Sequence, residues 1–315
     1  MYHCYLRAKQ YELLAIRSCL PKIAQKNMTV IIEPVRENSR DLYSCLRDAQ
    51  SHNARVILIV NPKCGELEGN QRIAEQLIDG AIQLYPRVEL GYIVDDTTSF
   101  TQLSSFFATY QQQDKSVIHV GSYANAQQLH HLELSDYLFK SNIFIDGKCS
   151  ASYISSFINT VKVLIHDGLN RTQTNAGYAN NIIEFFSDLY LNYARLGFQG
   201  FGDYSIVGDH FVEGGGQAIT AVVHLTYENT NGTEISIHHF LSDPRVVAED
   251  VAILIDEALE KLEAFITTQR PDVLNWSTAC QELIRIYNTP GERTNLANIK
   301  KLTIKNHFEL MHNLL

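Results

Sequence analysis

The chain has 315 residues, of which 45% are hydrophobic and 19% are charged. This composition is typical of globular proteins and excludes a disordered or fibrous protein. The formal net charge of −9 argues against a protein whose main role is to coat nucleic acid, because phosphate binding needs clustered Lys and Arg side chains. Nucleic acid is therefore a disfavoured partner.

The sequence favours a cytoplasmic location. An apolar, strand-like stretch follows Met1 almost directly, without the basic segment and long apolar run of a signal peptide. No apolar run approaches the roughly 18–20 residues needed to span a bilayer, so no membrane contact is expected. The cysteines are scattered without metal-binding spacing, and reduced thiols are expected at all of them: Cys4, Cys19, Cys45, Cys64, Cys149 and Cys280.

Short apolar runs alternate with helix-like segments about every 25–30 residues. The runs that predict strands cover residues 2–6, 29–33, 55–60, 88–94, 116–120, 142–145, 161–165 and 198–203. The segments that predict helices between them cover residues 11–19, 40–51, 71–84, 100–110, 124–130, 151–159 and 179–196. Strands that alternate with helices in this way form a parallel sheet.

Eight strands favour an α/β fold of the (β/α)8 TIM-like barrel type over residues 1–210. An open doubly wound sheet that binds a dinucleotide would carry a glycine-rich turn after the first strand, and this chain has none.

Residues 211–315 predict a β-hairpin plus a helical extension packed on the barrel. The hairpin strands, residues 218–227 and 234–241, flank the turn sequence NTNG, and helices are expected at residues 248–267, 278–287 and 296–314. The glycine run at residues 214–216 is interpreted as a mobile lid or hinge.

Acidic residues close five of the predicted strands: Glu33, Asp95, Asp146, Asp167 and Asp203. Parallel strands of a barrel end at one rim, where the active sites of such enzymes lie, and Arg7 and Lys9 are expected at the same rim. Converging carboxylates repel one another unless a divalent cation, salt bridges or protonation offsets the repulsion. The alternative is that each acid caps a helix or forms a turn with its own backbone.

Histidines form a second candidate constellation. His224 lies in the first hairpin strand, and a cross-strand pairing with His238 would allow metal binding or proton transfer. A polar pair at the surface is the alternative. His119 in the fifth strand is expected inside the barrel.

The leading hypothesis is a metal-dependent hydrolase that acts on a phosphoester or a similar polar substrate. Oxygen-rich sites suit Mg²⁺ or Mn²⁺, and the candidate metal ligands are Asp95, Asp146, Asp167 and His238. Glu33 or Asp203 would act as the base, while Arg7 and Lys9 would neutralise the developing negative charge.

Several segments are distinctive as a set: residues 5–15 (YLRAKQYELLA), 32–35 (IEPV), 60–62 (VNP), 200–204 (GFGDY), 213–216 (EGGG) and 239–243 (HFLSD). Together they resemble a bacterial and phage family labelled "beta family protein", which includes a branch named after a myxobacterial locus. Over essentially the whole chain, the resemblance implies a barrel-like fold and an association with phages and mobile genetic islands, but no reaction. Gly177 replaces the acid of the family's Arg-Asn-Ala-Asp-Tyr stretch, which weakens any role for that loop.

A rival hypothesis is a non-catalytic recognition or scaffold subunit of a phage-conflict (antiviral defence) system. The helix predicted at residues 248–267 carries an apolar stripe, Val251, Ile255, Leu259 and Leu262, that would bind a protein partner. Such a stripe also suits docking on the chain's own barrel.

Overall fold

The computed structural model describes residues 1–213, 219–245, 247 and 250–315. The glycine run at residues 214–216, with its hypothesised lid, lies outside the described residues, as do the predicted first residues of a hairpin strand (218) and a helix (248). Within the described residues, no helix combines the length and the apolar character needed to cross a membrane. All six cysteines are described, and none forms a disulfide bond.

The predicted closed parallel barrel is confirmed, with the strand order β1-β2-β3-β4-β5-β6-β7-β9. The strands are β1 (Tyr2–Arg7), β2 (Thr29–Glu33), β3 (Arg55–Ile59), β4 (Glu89–Val94), β5 (Lys115–His119), β6 (Phe139–Ile145), β7 (Lys162–His166), β8 (Ile183–Ser187), β9 (Gly200–Asp203), β10 (Val222–Glu228) and β11 (Ile235–Leu241). The last two and β8 form a separate antiparallel sheet in the order β10-β11-β8.

A helix follows each of the strands β1 to β6, as the alternation predicts. They are α1 (Gln10–Gln25), α2 (Arg40–His52), α3 (Gln71–Leu84), α4 (Phe100–Thr109), α5 (Ala126–Ser135), α6 (Ala151–Ser156), α7 (Leu189–Asn192), α8 (Val251–Gln269), α9 (Thr278–Asn288) and α10 (Leu296–Leu314).

The barrel interior is filled mainly by branched side chains. They are Ile31, Ile57, Ile59, Ile93, Ile118, Ile143, Ile145, Val163 and Ile165, packed with Tyr5 and Tyr204. Successive side chains of a strand point to opposite faces, so a residue two positions from one of these also faces the interior, and a residue next to one faces outward. The absence of a side chain at Gly202 allows β9 to lie close to β1, since a Cβ atom at this position would collide with the carbonyl oxygen of His3.

The helix predicted over residues 179–196 is wrong. The structure has a 3-10 turn at Asn175–Asn180, then strand β8, then the short helix α7. Along β8, Phe186 is fully buried whereas Ile183 and Phe185 are 52% and 49% exposed, which is the two-residue period of a strand. β-branched and aromatic residues favour this conformation, and pairing with β11 stabilises it.

The chain forms two compact units that interleave along the sequence. The barrel unit comprises Met1–Lys9, Ile23–His166 and Leu189–Tyr204, and the hairpin unit comprises Gln10–Lys22, Asp167–Asp188 and Ser205–Leu315. The sequence placed a single boundary at residue 210, whereas the compact units place two earlier segments with the C-terminal part of the chain.

In the hairpin unit, the β-hairpin expected around the NTNG turn is present, with Gly232 at a φ of 65°. One face of the sheet packs on α8, where the Phe265 ring centroid lies 5.4 Å from that of Tyr227 and 5.5 Å from that of Phe240. Helix α10 reaches the sheet from another side, where Thr226 Oγ1 lies 2.9 Å from His307 Nδ1.

Candidate functional site

A buried ion pair lies at the carboxyl-terminal end of the barrel strands, which we call the mouth. Arg7 ends β1 and Glu33 ends β2, and Arg7 Nε lies 3.6 Å from Glu33 Oε2. Tyr5 and Ile31 belong to the interior cluster, so the two-residue period turns Arg7 and Glu33 inward. The two residues are only 8% and 2% exposed.

Glu33 is held by two further donors. The Tyr5 hydroxyl donates to Oε2 at 2.9 Å, and the backbone N–H of Lys63 donates to Oε1 at 2.7 Å. These hydrogen bonds engage both carboxylate oxygens and hold the side chain in one orientation. Glu33 thus lies against Arg7 in a fixed orientation, and its role as a base stays a prediction.

Two tyrosine rings flank the Arg7 guanidinium. Its carbon lies 5.6 Å from the Tyr5 ring centroid and 5.4 Å from the Tyr204 centroid, within the range of cation–π attraction. Burial lowers the pKa of Arg7, but Tyr5 and Glu33 outweigh it and raise the pKa above its ordinary value. Arg7 is therefore a fixed positive charge at the mouth.

A second ion pair joins the next two strands. Lys63 Nζ lies 3.0 Å from Asp95 Oδ2, and Asp95 Oδ1 accepts hydrogen bonds from Thr97 and Thr98. Partial burial would raise the pKa of Asp95, but the hydrogen bonds from Thr97, Lys63 and Thr98 hold it well below its usual range. Asp95 thus forms a turn with the residues that follow it, which is the capping alternative.

Cys64 lies beside Glu33 and Arg7. Burial and then the neighbouring Glu33 raise the pKa of Cys64 to about 12, so its thiol is protonated at neutral pH and is a poor nucleophile. Lys9 is half-buried, and its backbone N–H donates to the carbonyl oxygen of Arg7 at 2.8 Å.

Asp203 and Asp146 do not face the barrel interior. Asp203 lies between the inward-facing Gly202 and Tyr204, so it points to the outer face, where its Oδ1 accepts a hydrogen bond of 2.8 Å from the Tyr2 hydroxyl. Asp203 therefore lies on the opposite face of the strand from Tyr204, and its role as a base stays a prediction.

Asp146 follows the inward-facing Ile145 and is turned away by the same alternation. Its Oδ2 lies 2.9 Å from His166 Nδ1, and both side chains are partly exposed. The pair is local to the ends of β6 and β7.

The predicted metal ligands do not come together. Asp167 belongs to the hairpin unit and accepts hydrogen bonds from the backbone N–H groups of Leu169 and Asp209, at 3.1 and 2.9 Å. His238 stacks on Phe240 with ring centroids 3.9 Å apart. Among the described residues, no group of three or more His, Cys, Asp or Glu side chains is placed to hold a metal ion.

The expected pairing of His224 with His238 is wrong. In the hairpin register His224 lies opposite His239, and the two Nδ1 atoms are 2.7 Å apart. His238 is opposite Leu225 and points to the other face of the sheet, because a register difference of one residue reverses the face.

His119 lies on the outer face of the barrel wall, not inside it. Its neighbour Ile118 faces inward, while the His119 ring stacks on Phe144 with centroids 4.4 Å apart. Its ring nitrogens contact Tyr153 Oη and Asn142 Oδ1 at 2.8 and 2.7 Å. Burial lowers the pKa of His119 to about 3, so the ring is neutral.

Sequence reasoning missed Tyr5, Tyr204 and Lys63 at the mouth. The signal for Tyr5 was its place two residues before Arg7, which puts both side chains on one face of a strand. Lys63 is the fourth residue after the end of β3, beyond Asn61 and Pro62, so it does not share the position of the strand-end acids. Its ion pair with Asp95 depends on strand neighbours that only the folded barrel shows.

Comparisons with known proteins find no match, either to a protein-family model or to a curated sequence.

Proposed function

We propose that the barrel unit binds a small polar molecule with a negatively charged group, of the phosphoester class, at the mouth. The observation that carries this proposal is the buried guanidinium of Arg7, fixed by Glu33 at the end of the barrel where (β/α)8 enzymes bind their substrates. A buried ion pair stabilises a fold less than apolar residues of the same volume would. Stability alone therefore gives no reason for a charged pair at this position.

Lys63 supports the same class of ligand. Its side chain is 44% exposed, so its ammonium is accessible to a ligand while it remains paired with Asp95. A planar guanidinium and a mobile ammonium are the two side chains that proteins use most to bind phosphate oxygens. Both would also stabilise negative charge that develops on such a group during reaction.

The proposed reaction class is hydrolysis of the bound ester, in which water adds and the alcohol leaves. The residues expected to hold a divalent cation do not fit one, because Asp95, Asp146 and Asp167 each have a separate hydrogen-bonding partner and His238 packs against aromatic rings. No step is therefore assigned to a metal ion. The charged groups at the mouth, Arg7 and Lys63, support the substrate class.

Binding of 4-nitrophenyl phosphate, measured by calorimetry, tests the proposal. We expect Arg7→Gln to weaken binding at least tenfold, and the exposed Arg40→Gln variant to bind as the wild type does. Circular dichroism of both variants confirms that they fold. Failure of the wild type to bind the probe, or equal binding by Arg7→Gln, would contradict the proposal.

Release of 4-nitrophenolate tests the reaction separately. We expect hydrolysis that survives EDTA and that Arg7→Gln abolishes. Hydrolysis that requires added Mg²⁺ or Mn²⁺ would restore the metal-dependent hypothesis, and binding without hydrolysis would limit the function to recognition.

A second candidate function is a recognition or scaffold subunit, supported by the exposed apolar residues of β8. This strand is an edge of its sheet in the described residues, and Ile183 and Phe185 are about half exposed on one face. Together with the resemblance to the phage-associated beta family, this favours a protein partner that pairs with the edge. Native mass measured with a neighbouring gene's product tests it: we expect a complex that Phe185→Ser disrupts, and an unchanged mass would contradict it.

A further inference from the structure

A cavity of about 290 Å³ in the hairpin unit combines cationic and hydrogen-bonding side chains. Its polar lining includes Arg171, Thr172, Tyr178, His224 and Lys300. All of these residues belong to the hairpin unit, and none of them belongs to the cluster described at the mouth. Its size suits a small ligand.

A chain of three polar side chains leads into this cavity. His224 Nδ1 lies 2.7 Å from His239 Nδ1, and His239 Nε2 lies 3.9 Å from Glu184 Oε2. The Tyr178 ring packs on both imidazoles, with centroids 4.8 and 4.5 Å away. A hydrogen bond between the two Nδ1 atoms requires that one histidine carries its proton on Nδ1 and donates it, while the other histidine accepts through an unprotonated Nδ1.

The carboxylate of Glu184 determines which histidine donates. A proton on His239 Nε2 would face the carboxylate, whereas a lone pair there would be repelled by it. At 3.9 Å this preference is electrostatic and not a hydrogen bond. His239 Nδ1 is then the acceptor, His224 Nδ1 the donor, and His224 Nε2 carries a lone pair.

His224 stays neutral in this environment. Burial, then His239 and Lys300, lower the pKa of His224 to about 3. Its Nε2 atom can therefore accept a hydrogen bond from a ligand at neutral pH.

The charges that line the cavity leave one net positive charge. Lys300 is neutralised by Glu12, with Nζ 2.8 Å from Oε1. Arg171 donates to the carbonyl oxygen of His210 at 3.3 Å, and it has no carboxylate partner in the part of the chain that the structure describes. The single unbalanced guanidinium matches a ligand with one negative charge.

We propose that this cavity binds a small oxyanion that still carries a hydroxyl proton, such as a phosphate group in its monoanionic form. The hydroxyl donates to His224 Nε2, and the charged oxygens lie against Arg171. Sulfate carries no proton and has only hydrogen-bond acceptors. One of its oxygen lone pairs would face the lone pair of His224 Nε2 and be repelled by it. The site is thus selective for a protonated oxyanion.

Long-range ¹⁵N–¹H spectra of the histidine side chains test the proposal on the whole chain. Inorganic phosphate and sulfate are the probes, at about pH 5, which is below the second phosphate pKa of about 6, so that phosphate is largely monoanionic. Without ligand, we expect His224 to carry its proton on Nδ1 and His239 to carry its proton on Nε2. Phosphate should shift the His224 Nε2 signal and bind at least tenfold more tightly than sulfate. The opposite tautomers, or equal affinities, would overturn the proposal.

Two variants and a control sharpen the result. Arg171→Gln should lose phosphate binding at least tenfold, whereas Arg195→Gln, an exposed arginine of the barrel unit, should not change it. Glu184→Gln removes the charge that orients His239, so the ratio of phosphate to sulfate affinity should fall. Because His224 itself lines this cavity, a shift of its Nε2 signal reports binding there, and unchanged phosphate binding in Arg171→Gln would overturn the proposal.

Discussion

Replacement of Glu33 by Gln is the most direct test of the buried pair at the mouth. The substitution keeps the shape of the side chain but removes the negative charge, so the Arg7 guanidinium stays buried without its ionic partner. It also replaces one of the two oxygens that accept from Tyr5 and Lys63 by a donor. Both effects destabilise the folded state.

The expected magnitude follows from the burial. Removal of one member of a buried ion pair costs about 3–5 kcal/mol, and we expect the lower end because glutamine keeps one acceptor. An unfolding entropy of about 2.1 cal/mol/K per residue gives roughly 0.66 kcal/mol/K for 315 residues. A loss of about 3 kcal/mol should therefore lower Tm by about 5 °C.

Thermal unfolding of Glu33→Gln, Arg7→Leu and the double variant measures the coupling, with the exposed Glu68→Gln as the control. We expect the double variant to lose less free energy of unfolding than the two single variants lose together, by at least about 1 kcal/mol. A Tm for Glu33→Gln within about 1 °C of the control would refute the reasoning. So small a difference is what the loss of a solvent-exposed ion pair would cause. It would also remove the main support for Arg7 as the anion-binding residue.

Three further predictions concern the barrel unit. Gly202→Ala should destabilise the fold by at least about 3 kcal/mol in chemical denaturation, because its Cβ would collide with backbone, while Gly121→Ala makes only ordinary contacts. Burial raises the pKa of Glu133 from 4.5 to about 8, so the stability given by its protonated form is present below about pH 4.5 and lost as pH rises towards 8. Between about pH 6 and 8 the free energy of unfolding of the wild type should fall by roughly 2 kcal/mol, whereas that of Glu133→Gln should not show this fall. The Tm of both proteins across this pH range measures the difference. Tyr2→Phe should cost about 1–2 kcal/mol by removing the donor to Asp203, with no change in binding of 4-nitrophenyl phosphate at the mouth.

The barrel could be predicted because its signal is local. Runs such as residues 56–60 are apolar throughout and end at Asn61 and Pro62, and such runs suit only strands that are buried on both faces. Strand β8 could not be predicted in this way. Its pairing partner, β11, begins about fifty residues later in the chain, and without that partner the segment has the apolar content of a helix.

Side-chain direction was the second limit. The sequence locates the end of a strand to within a residue or two, but a one-residue difference moves a side chain to the opposite face. Asp203 therefore faces outward while Tyr204 faces the interior, and His239 takes the place expected for His238. Arg7, Glu33 and Asp95 could be placed at the mouth from the sequence, whereas Tyr5, Tyr204 and Lys63 could not.

The strand-end acids show why a count of like charges is a weak guide to chemistry. Folding gives each its own partner: Arg7 for Glu33, Lys63 for Asp95, His166 for Asp146, Tyr2 for Asp203, and backbone N–H groups for Asp167. Once each carboxylate is stabilised separately, no shared repulsion remains for a bound cation to offset. What distinguishes one of these five pairs from the others is burial. Among them, the Arg7–Glu33 pair alone has both charges removed from water, and its desolvation cost needs a functional explanation.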